Sequence, residues 1–126
     1  MRLLLDTHIL LWWLMDDPKL SGALRAAIAD GGNEVFVSSV SVTEIAIKQS
    51  QGKLTAPREL LLLLLSEAGF AELPLTSAHG EVLRDLPEHH RDPFDRMLVA
   101  QAQVEGLEIA TADAAIRNYD VGVLAN

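Results

Sequence analysis

The stretch Leu3-Leu4-Leu5-Asp6-Thr7-His8 sets the arrangement of this chain. Its three leucines end abruptly at a carboxylate, and a second apolar stretch with a helical pattern begins at Ile9. A short, wholly apolar run of this kind is typical of a strand buried on both faces of a parallel sheet. Asp6 is therefore predicted to lie where a strand ends and a helix begins. In open α/β sheets, ligands bind at this edge, beyond the carboxyl ends of the strands.

Composition places the chain in a broad class. It has 126 residues, 49% of them apolar, and no cysteine. These values fit one domain, residues 1–126, with an ordinary core, and they give no sign of disulfides or thiolate zinc sites. The N-terminal residues lack the pattern of a signal peptide, and no apolar run approaches the roughly 18 residues of a membrane span. We therefore expect a cytoplasmic protein that does not enter a membrane.

The net charge of −8 argues against one way of binding nucleic acid. A basic surface that contacts phosphates needs lysine and arginine, and this chain is strongly acidic. The objection weakens if part of the acidity belongs to a metal site, because a bound cation neutralises it. A basic protein partner would also suit the charge.

Strand and helix patterns alternate along the chain. The connections are too long for hairpins, so we predict an α/β fold with a central, mostly parallel sheet of four to five strands and helices on both faces. The strands are predicted at residues 2–6, 34–38, 70–75, 107–111 and 121–124. The helices are predicted at residues 9–15, 22–30, 41–51, 57–68, 76–86, 94–105 and 113–118.

Six consecutive leucines, Leu60 to Leu65, lie in one of the predicted helices. A helix that is apolar all round is buried on more than one side. We interpret the run as interior packing, and the alternative is that one face meets a second subunit.

Four acids lie at strand-to-helix junctions or in the first turn of a helix: Asp6, Glu44, Asp95 and Asp113. Each has an ordinary explanation, because free N–H groups and the helix dipole stabilise an acid at a helix N-terminus by about 0.3–1 kcal/mol. Asp6 and Asp113 would each cap the helix that follows. Glu44 would complete a capping box that begins at Ser41.

Asp95 is the hardest of the four to explain as a cap. Asp92 already has the N-cap position, and Pro93 suits the first helical position. Asp95 also lies on the same helical face as an apolar stripe, made of Leu98, Val99 and Ala102. A buried acid at that point needs a partner, and its neighbours in the sequence supply no obvious one.

Four converging carboxylates would require a counter-charge. Like charges a few ångströms apart raise one another's pKa and titrate as a coupled group. A hard divalent cation such as Mg²⁺ or Mn²⁺ prefers oxygen ligands and keeps several waters, so a few carboxylates suffice to hold it. Spacing alone does not establish the convergence, since every α/β protein has helix N-caps along that edge.

The sequence also resembles a known family. The resemblance spans nearly the whole chain, in the family's order, and HHRDPFDRMLVAQA is its long and highly specific part. The matching stretches are LLLDTHILLWWL (Leu3–Leu14), SSVSVTEIAIKQSQGKL (Ser38–Leu54), HHRDPFDRMLVAQA (His89–Ala102) and TADAAIRNYDV (Thr111–Val121). With these stretches the chain resembles PIN domains, and in particular VapC-like toxins of bacterial type II toxin–antitoxin systems.

The resemblance implies a metal-dependent endoribonuclease with a three-layer α/β/α fold. The family's metal-binding acids fall on Asp6, Glu44, Asp95 and Asp113, with Asp6 and Asp95 holding the ion directly. Thr111 matches a hydroxyl position that helps hold water in the site. The resemblance also implies a Mg²⁺ or Mn²⁺ cofactor, an RNA substrate, a homodimer and a cognate antitoxin protein.

Other polar and aromatic residues have two interpretations each. Three basic residues either line the approach to the site or are ordinary surface charges: Lys48, Arg91 and Arg96. Three histidines offer a rival zinc site or general base, although two of them are adjacent and should diverge: His8, His89 and His90. The two tryptophans either stack on bases or, as we expect, pack in the core or an interface: Trp12 and Trp13.

Two other protein classes match the sequence less well than the nuclease does. A phosphoaspartate receiver domain would have paired acids after its first strand, whereas Thr7 and His8 follow Asp6 here. An aspartyl phosphotransferase would have a second acid at the position of His8. A catalytically silent PIN domain that acts only as a binding module remains the stronger alternative.

Overall fold

The computed structural model describes the backbone of residues 1–126 and all side chains except those of Leu60, Leu63, Leu64 and Glu67. The strands are β1 (Arg2–Leu5), β2 (Glu34–Ser38), β3 (Ala71–Leu73), β4 (Glu108–Thr111) and β5 (Val123–Ala125). The helices are α1 (Thr7–Leu14), α2 (Gly22–Ala29), α3 (Ser39–Ser50), α4 (Arg58–Glu67), α5 (Ser77–Val82) and α6 (Pro93–Glu105). Two 3₁₀ turns lie at Leu83–Asp85 and Ala114–Asn118.

The five strands form one sheet in the order β3-β2-β1-β4-β5. Every pairing is parallel, which confirms the predicted α/β class and sheet. Along the chain the sheet grows outward from β1 through β2 to β3, and then continues on the other side of β1 with β4 and β5. The order therefore reverses beside β1, and such a switch point leaves a crevice at the carboxyl ends of the strands.

The three leucines of β1 divide the core between the two faces of the sheet. Leu3 and Leu5 pack with residues of α1, α2 and α3 on one face. Leu4 packs with residues of α6 and the last 3₁₀ turn on the other face. All three side chains are fully buried, as the apolar run predicted for a strand covered on both sides. The result is the three-layer arrangement expected from the sequence.

The predicted capping box at Ser41 was wrong. The helix α3 begins at Ser39, immediately after β2, and its N-cap is Ser38, whose hydroxyl accepts the N–H of Val40 at 3.0 Å. Ser41 is instead buried inside the first turn. The capping-box pattern failed because the Ser38 hydroxyl, three residues earlier, caps the helix. The Glu44 side chain is consequently free to contact groups other than the helix N-terminus.

The leucine-rich helix α4 is only partly interior. Leu61 and Leu65 pack against the core cluster of β1 and α1, whereas Leu62 is 70% exposed. The prediction for Leu60, Leu63 and Leu64 lies outside the described side chains. In the part of the chain that the structure describes, no helix has the length and apolarity to cross a bilayer.

Candidate metal centre

Asp6 lies at the carboxyl end of the central strand. Its backbone N–H donates to the carbonyl of Ala110 in β4 at 3.1 Å, which fixes the residue at the switch point. Its Oδ1 accepts the N–H of Ile9 at 2.9 Å and so caps α1. The residue is only 3% exposed. Burial raises the pKa of Asp6, although hydrogen bonds from Thr111 and Ile9 oppose that rise.

Thr111 connects Asp6 to Asp113 at the end of β4. Its hydroxyl donates to the Asp6 carboxylate and accepts the N–H of Asp113 at 2.9 Å. Asp113 Oδ1 in turn accepts the N–H of Ala115 at 2.9 Å, so Asp113 caps the turn that follows. Burial alone would raise the pKa of Asp113, but hydrogen bonds from Ala115 and His90 outweigh burial and lower it.

Glu44 is held by residues from two helices. Thr7, in the first turn of α1, donates its hydroxyl to Glu44 Oε1 at 2.7 Å and lies 3.0 Å from the hydroxyl of Ser41. Lys48 Nζ, one helical turn later, donates to Glu44 Oε2 at 2.5 Å, and this hydrogen bond raises the pKa of Lys48. Glu44 is 2% exposed, so both carboxylate oxygens are fixed from the protein side.

Asp95 lies in the first turn of α6, three residues after the N-cap Asp92. Burial raises the pKa of Asp95 to about 7, and the negative charge of Asp92 adds to the rise. The charges of Asp6 and Glu44 act in the same direction, whereas His90 opposes them. These charges reach Asp95 from two other elements, the end of β1 and α3. The predicted acids Asp6, Glu44 and Asp95 therefore lie in one region of the fold.

His90 is the residue that the sequence interpretation undervalued. Its Nε2 lies 2.6 Å from Asp113 Oδ2 and 3.2 Å from Asp95 Oδ2. Its Nδ1 accepts the N–H of Asp92 at 3.0 Å. Because Nδ1 is an acceptor, the neutral imidazole carries its proton on Nε2 and donates it to Asp113, while Asp95 lies within ion-pair distance of the same nitrogen.

His89 and His90 diverge, as expected for adjacent residues, whereas His8 lies close enough to Asp6 and Asp113 for its charge to act on their pKa values. The His89 ring lies edge-on against the Tyr119 ring, with centroids 5.0 Å apart. The His8 ring lies 6.2 Å from that of Trp12. Among the described residues, the one compact set of potential metal ligands is His90, Asp95 and Asp113.

Arg96 is bound to the loop that precedes α6. Its guanidinium donates to the carbonyls of Leu86 and Pro87 at 3.1 and 2.8 Å, and to the Tyr119 hydroxyl at 3.2 Å. These bonds fix the loop that contains His90. Arg91 in the same loop is exposed, and none of the described side chains bonds to it. Arg96 therefore stabilises this loop. The sequence had left open whether Arg96 lines the approach to the site or is an ordinary surface charge.

The residues present fit a hard divalent cation. The donor set is composed of carboxylate oxygens, which suit Mg²⁺ or Mn²⁺. Asp6 is buried and Asp95 is half-buried, and the pKa of each is raised, so a cation would favour their ionised forms. His90 donates a proton through Nε2 in its present tautomer, so it acts as a partner for the acids rather than as a ligand.

Sequence reasoning missed Thr7 and considered His90 only as a ligand or general base of a rival histidine site. Thr7 follows Asp6 directly, and its place in the first turn of a helix beside the sheet was the available signal. His90 lies two residues before the N-cap of α6, but its direction depends on the loop, which Arg96 fixes through contacts that no local pattern records.

Comparisons with known proteins agree with this architecture. The sequence profile described as the PIN domain matches residues 3–122. The chain is similar to Ribonuclease VapC22 of Mycobacterium tuberculosis, at 28% identity over 118 residues that cover 92% of this chain and 90% of that protein.

Solved structures share the fold. The chain superposes on VapBC2 from Rickettsia felis bound to a promoter DNA fragment with a TM-score of 0.77 at 15% identity, over 99% of this chain and 98% of that one. It superposes on a toxin-antitoxin complex from Klebsiella pneumoniae with a TM-score of 0.66 at 21% identity, over 97% and 95% of the two chains. Since the family profile covers almost the whole sequence, this chain belongs to the PIN domain family.

Proposed function

We propose that this protein is a metal-dependent endoribonuclease and the toxin of a type II toxin–antitoxin pair. The observation that carries the proposal is the convergence of four acids at the switch point of a PIN-domain sheet. The name of the similar Mycobacterium tuberculosis protein, a ribonuclease, supports the choice of RNA as substrate. The alternative of a silent binding module is less favoured, because such a module has no need of buried carboxylates.

Each acid has a proposed role. Asp6 and Asp95 would hold Mg²⁺ or Mn²⁺, and Glu44 and Asp113 would hold the ion or its waters. When bound, the ion would supply an acidified water and positive charge beside the phosphate. Hydrolysis of the P–O3′ bond by water gives one product with a 5′ phosphate and one with a 3′ hydroxyl.

Several polar residues support these four. Thr111 orients Asp6 and the backbone of Asp113, and Thr7 orients Glu44. Lys48 neutralises part of the charge on Glu44, and with the exposed Arg91 it lies on the proposed path of the RNA. A bound metal would neutralise part of the negative charge of the site and so reduce its repulsion of phosphate. In this way a protein with a net charge of −8 binds a nucleic-acid substrate.

The proposed partners follow from the same assignment. The structural neighbour from Klebsiella pneumoniae is a toxin-antitoxin complex, and this supports a cognate antitoxin for this chain. We further propose that the protein forms a homodimer and acts in the cytoplasm, where RNA substrates and an antitoxin are both available.

The test is cleavage of a mixed RNA pool by the purified protein. We expect cleavage with Mg²⁺ or Mn²⁺, and its loss with EDTA or in the variants Asp6→Asn and Asp95→Asn. The matched control is Asp85→Asn, an exposed acid outside the site, which should cleave normally. Folded wild-type protein that leaves RNA intact with both metals would favour the silent binding module.

A further inference from the structure

A cleft of about 280 Å³ lies beside the acid cluster. Acids from the ends of β1 and β4 form part of its wall, and aromatic rings from α1 form another part. The lining residues are Asp6, His8, Trp12, Ala112 and Asp113. The proposed metal chemistry uses the two acids but gives no task to the two rings.

The aromatic wall is accessible to solvent. His8 is exposed and Trp12 is half-buried, and their ring centroids lie 6.2 Å apart with a tilt of 42°. The neighbouring Trp13 differs, because its ring lies 6.0 Å from that of Phe70, within the layer of α1 and α2. Trp12 also packs partly on this core, but in addition it lines the cleft. The two adjacent tryptophans therefore have different surroundings.

The charge of the cleft restricts what it can bind. Its lining contains two carboxylates and no lysine or arginine. A phosphate would be repelled by this lining wherever the metal does not shield it. An uncharged, planar group would instead gain from contact with the rings, and nucleobases stack on aromatic side chains with little dependence on sequence.

We propose that this cleft is a base-binding subsite, in which a nucleobase of single-stranded RNA stacks on Trp12 beside the phosphate that is cut. The inference rests on the proposed RNA cleavage and names one source of its substrate affinity. It also explains how an acidic protein holds RNA with few basic contacts. His8, one helical turn before Trp12 on the same wall, extends the ring surface of the cleft.

Intrinsic fluorescence tests the stacking. In a Trp13→Phe protein the sole tryptophan is Trp12, and in a Trp12→Phe protein it is Trp13. With Mg²⁺ present, a phosphorothioate RNA hexamer of mixed sequence should quench the emission of the first protein and leave that of the second unchanged. A hexamer of the same backbone without bases should quench neither. Bound hexamer, seen by the anisotropy of a fluorescein label, with unchanged Trp12 emission would overturn the inference.

Affinity provides a second arm. Trp12→Leu keeps an apolar side chain on the core but removes the ring, so it should bind the hexamer roughly 5- to 150-fold more weakly. Trp12→Phe retains a ring and should recover most of that loss. The matched control, Trp13→Leu, should bind like the wild type once its folding is verified by circular dichroism. Equal binding by Trp12→Leu and wild type would contradict the subsite.

The two proposals fail in different ways. If wild-type protein cuts RNA and Trp12→Leu has an unchanged KM, the base subsite is wrong and the nuclease assignment stands. If wild-type protein neither binds the hexamer nor cuts RNA, the nuclease assignment is wrong and the subsite is wrong with it.

Discussion

His90 Nε2 lies 2.6 Å from Asp113 Oδ2, so the imidazole N–H donates a hydrogen bond within the acid cluster. The same nitrogen is 3.2 Å from Asp95 Oδ2. Hydrogen bonds to ionised groups contribute about 1.5–3 kcal/mol each. His90 therefore stabilises the acids in the absence of a metal, and a cation that binds Asp95 and Asp113 competes with it.

Replacement of His90 should strengthen metal binding. In His90→Ala the two carboxylates lose their competing donor, and we expect Mn²⁺ affinity to rise by roughly tenfold, which corresponds to about 1.4 kcal/mol. Isothermal titration calorimetry measures this directly. His89→Ala is the matched control, because that ring packs on Tyr119 and should not alter the affinity. Weaker metal binding in His90→Ala would instead make His90 a ligand.

The hydroxyl of Thr7 should matter for both stability and cleavage. Thr7→Val keeps the shape of the side chain but leaves the buried Glu44 Oε1 without its donor. We expect a loss of about 1–3 kcal/mol in the free energy of unfolding and slower RNA cleavage. Thr7→Ser keeps the hydroxyl and should restore most of both. Urea denaturation and cleavage assays on the two variants would reject the assignment if Val and Ser behaved alike.

The raised pKa of Asp95 predicts how the stability of metal-free protein depends on pH. The native protein holds a proton on Asp95 up to about pH 7, whereas an ordinary aspartate, with a pKa of 3.8, loses its proton well below that. Between these values the native state binds more protons than the unfolded state, so the free energy of unfolding falls as pH rises. The lowered pKa of Asp113 acts in the opposite direction, but below this window.

In EDTA, wild-type protein should therefore lose stability between pH 5 and pH 8, by an amount on the order of 1–3 kcal/mol. Asp95→Asn removes this titration, so it should depend less on pH and be the more stable protein at pH 8. At pH 8, added Mg²⁺ should raise the free energy of unfolding of the wild-type protein, and it should raise that of Asp95→Asn much less. Urea denaturation at the two pH values provides the measurement, and identical pH profiles for the two proteins would refute the account of Asp95.

Arg96 should stabilise the loop that contains His90. Arg96→Ala leaves the carbonyls of Leu86 and Pro87 without this donor and removes one of the two donors to the Tyr119 hydroxyl, so we expect a loss of about 1–3 kcal/mol in the free energy of unfolding. Arg91→Ala, in the same loop but exposed, should change stability by less than about 0.5 kcal/mol. Thermal denaturation compares the two, and equal stabilities would remove Arg96 from this structural task.

The sheet and the position of Asp6 were predictable because their signals are local. A short apolar run predicts a buried strand, and an acid directly after that strand lies at the carboxyl edge of a parallel sheet. The same logic placed Asp113 after β4. The prediction of four to five strands was confirmed for this reason, since β2 to β5 each follow a helix or turn with clear end signals.

Side-chain partners across the fold were not predictable from the same patterns. Ser41 matched a capping box, yet Ser38 caps the helix, because the chain enters α3 straight from β2. Arg96 matched a surface charge, yet it binds carbonyls six to ten residues back in a loop. His90 points at acids from two other segments. Each outcome depends on loop conformation, which the sequence specifies only through the tertiary contacts themselves.

Diffraction from crystals soaked in Mn²⁺, recorded at the manganese absorption edge, would locate the ion. We predict an anomalous peak about 2.0–2.3 Å from carboxylate oxygens of Asp6 and Asp95, with Glu44 and Asp113 binding the ion or its waters. The His90 imidazole should then have moved away from Asp95. A metal-soaked crystal without a peak among these four acids, or with its peak held by histidines elsewhere, would contradict the proposed metal centre.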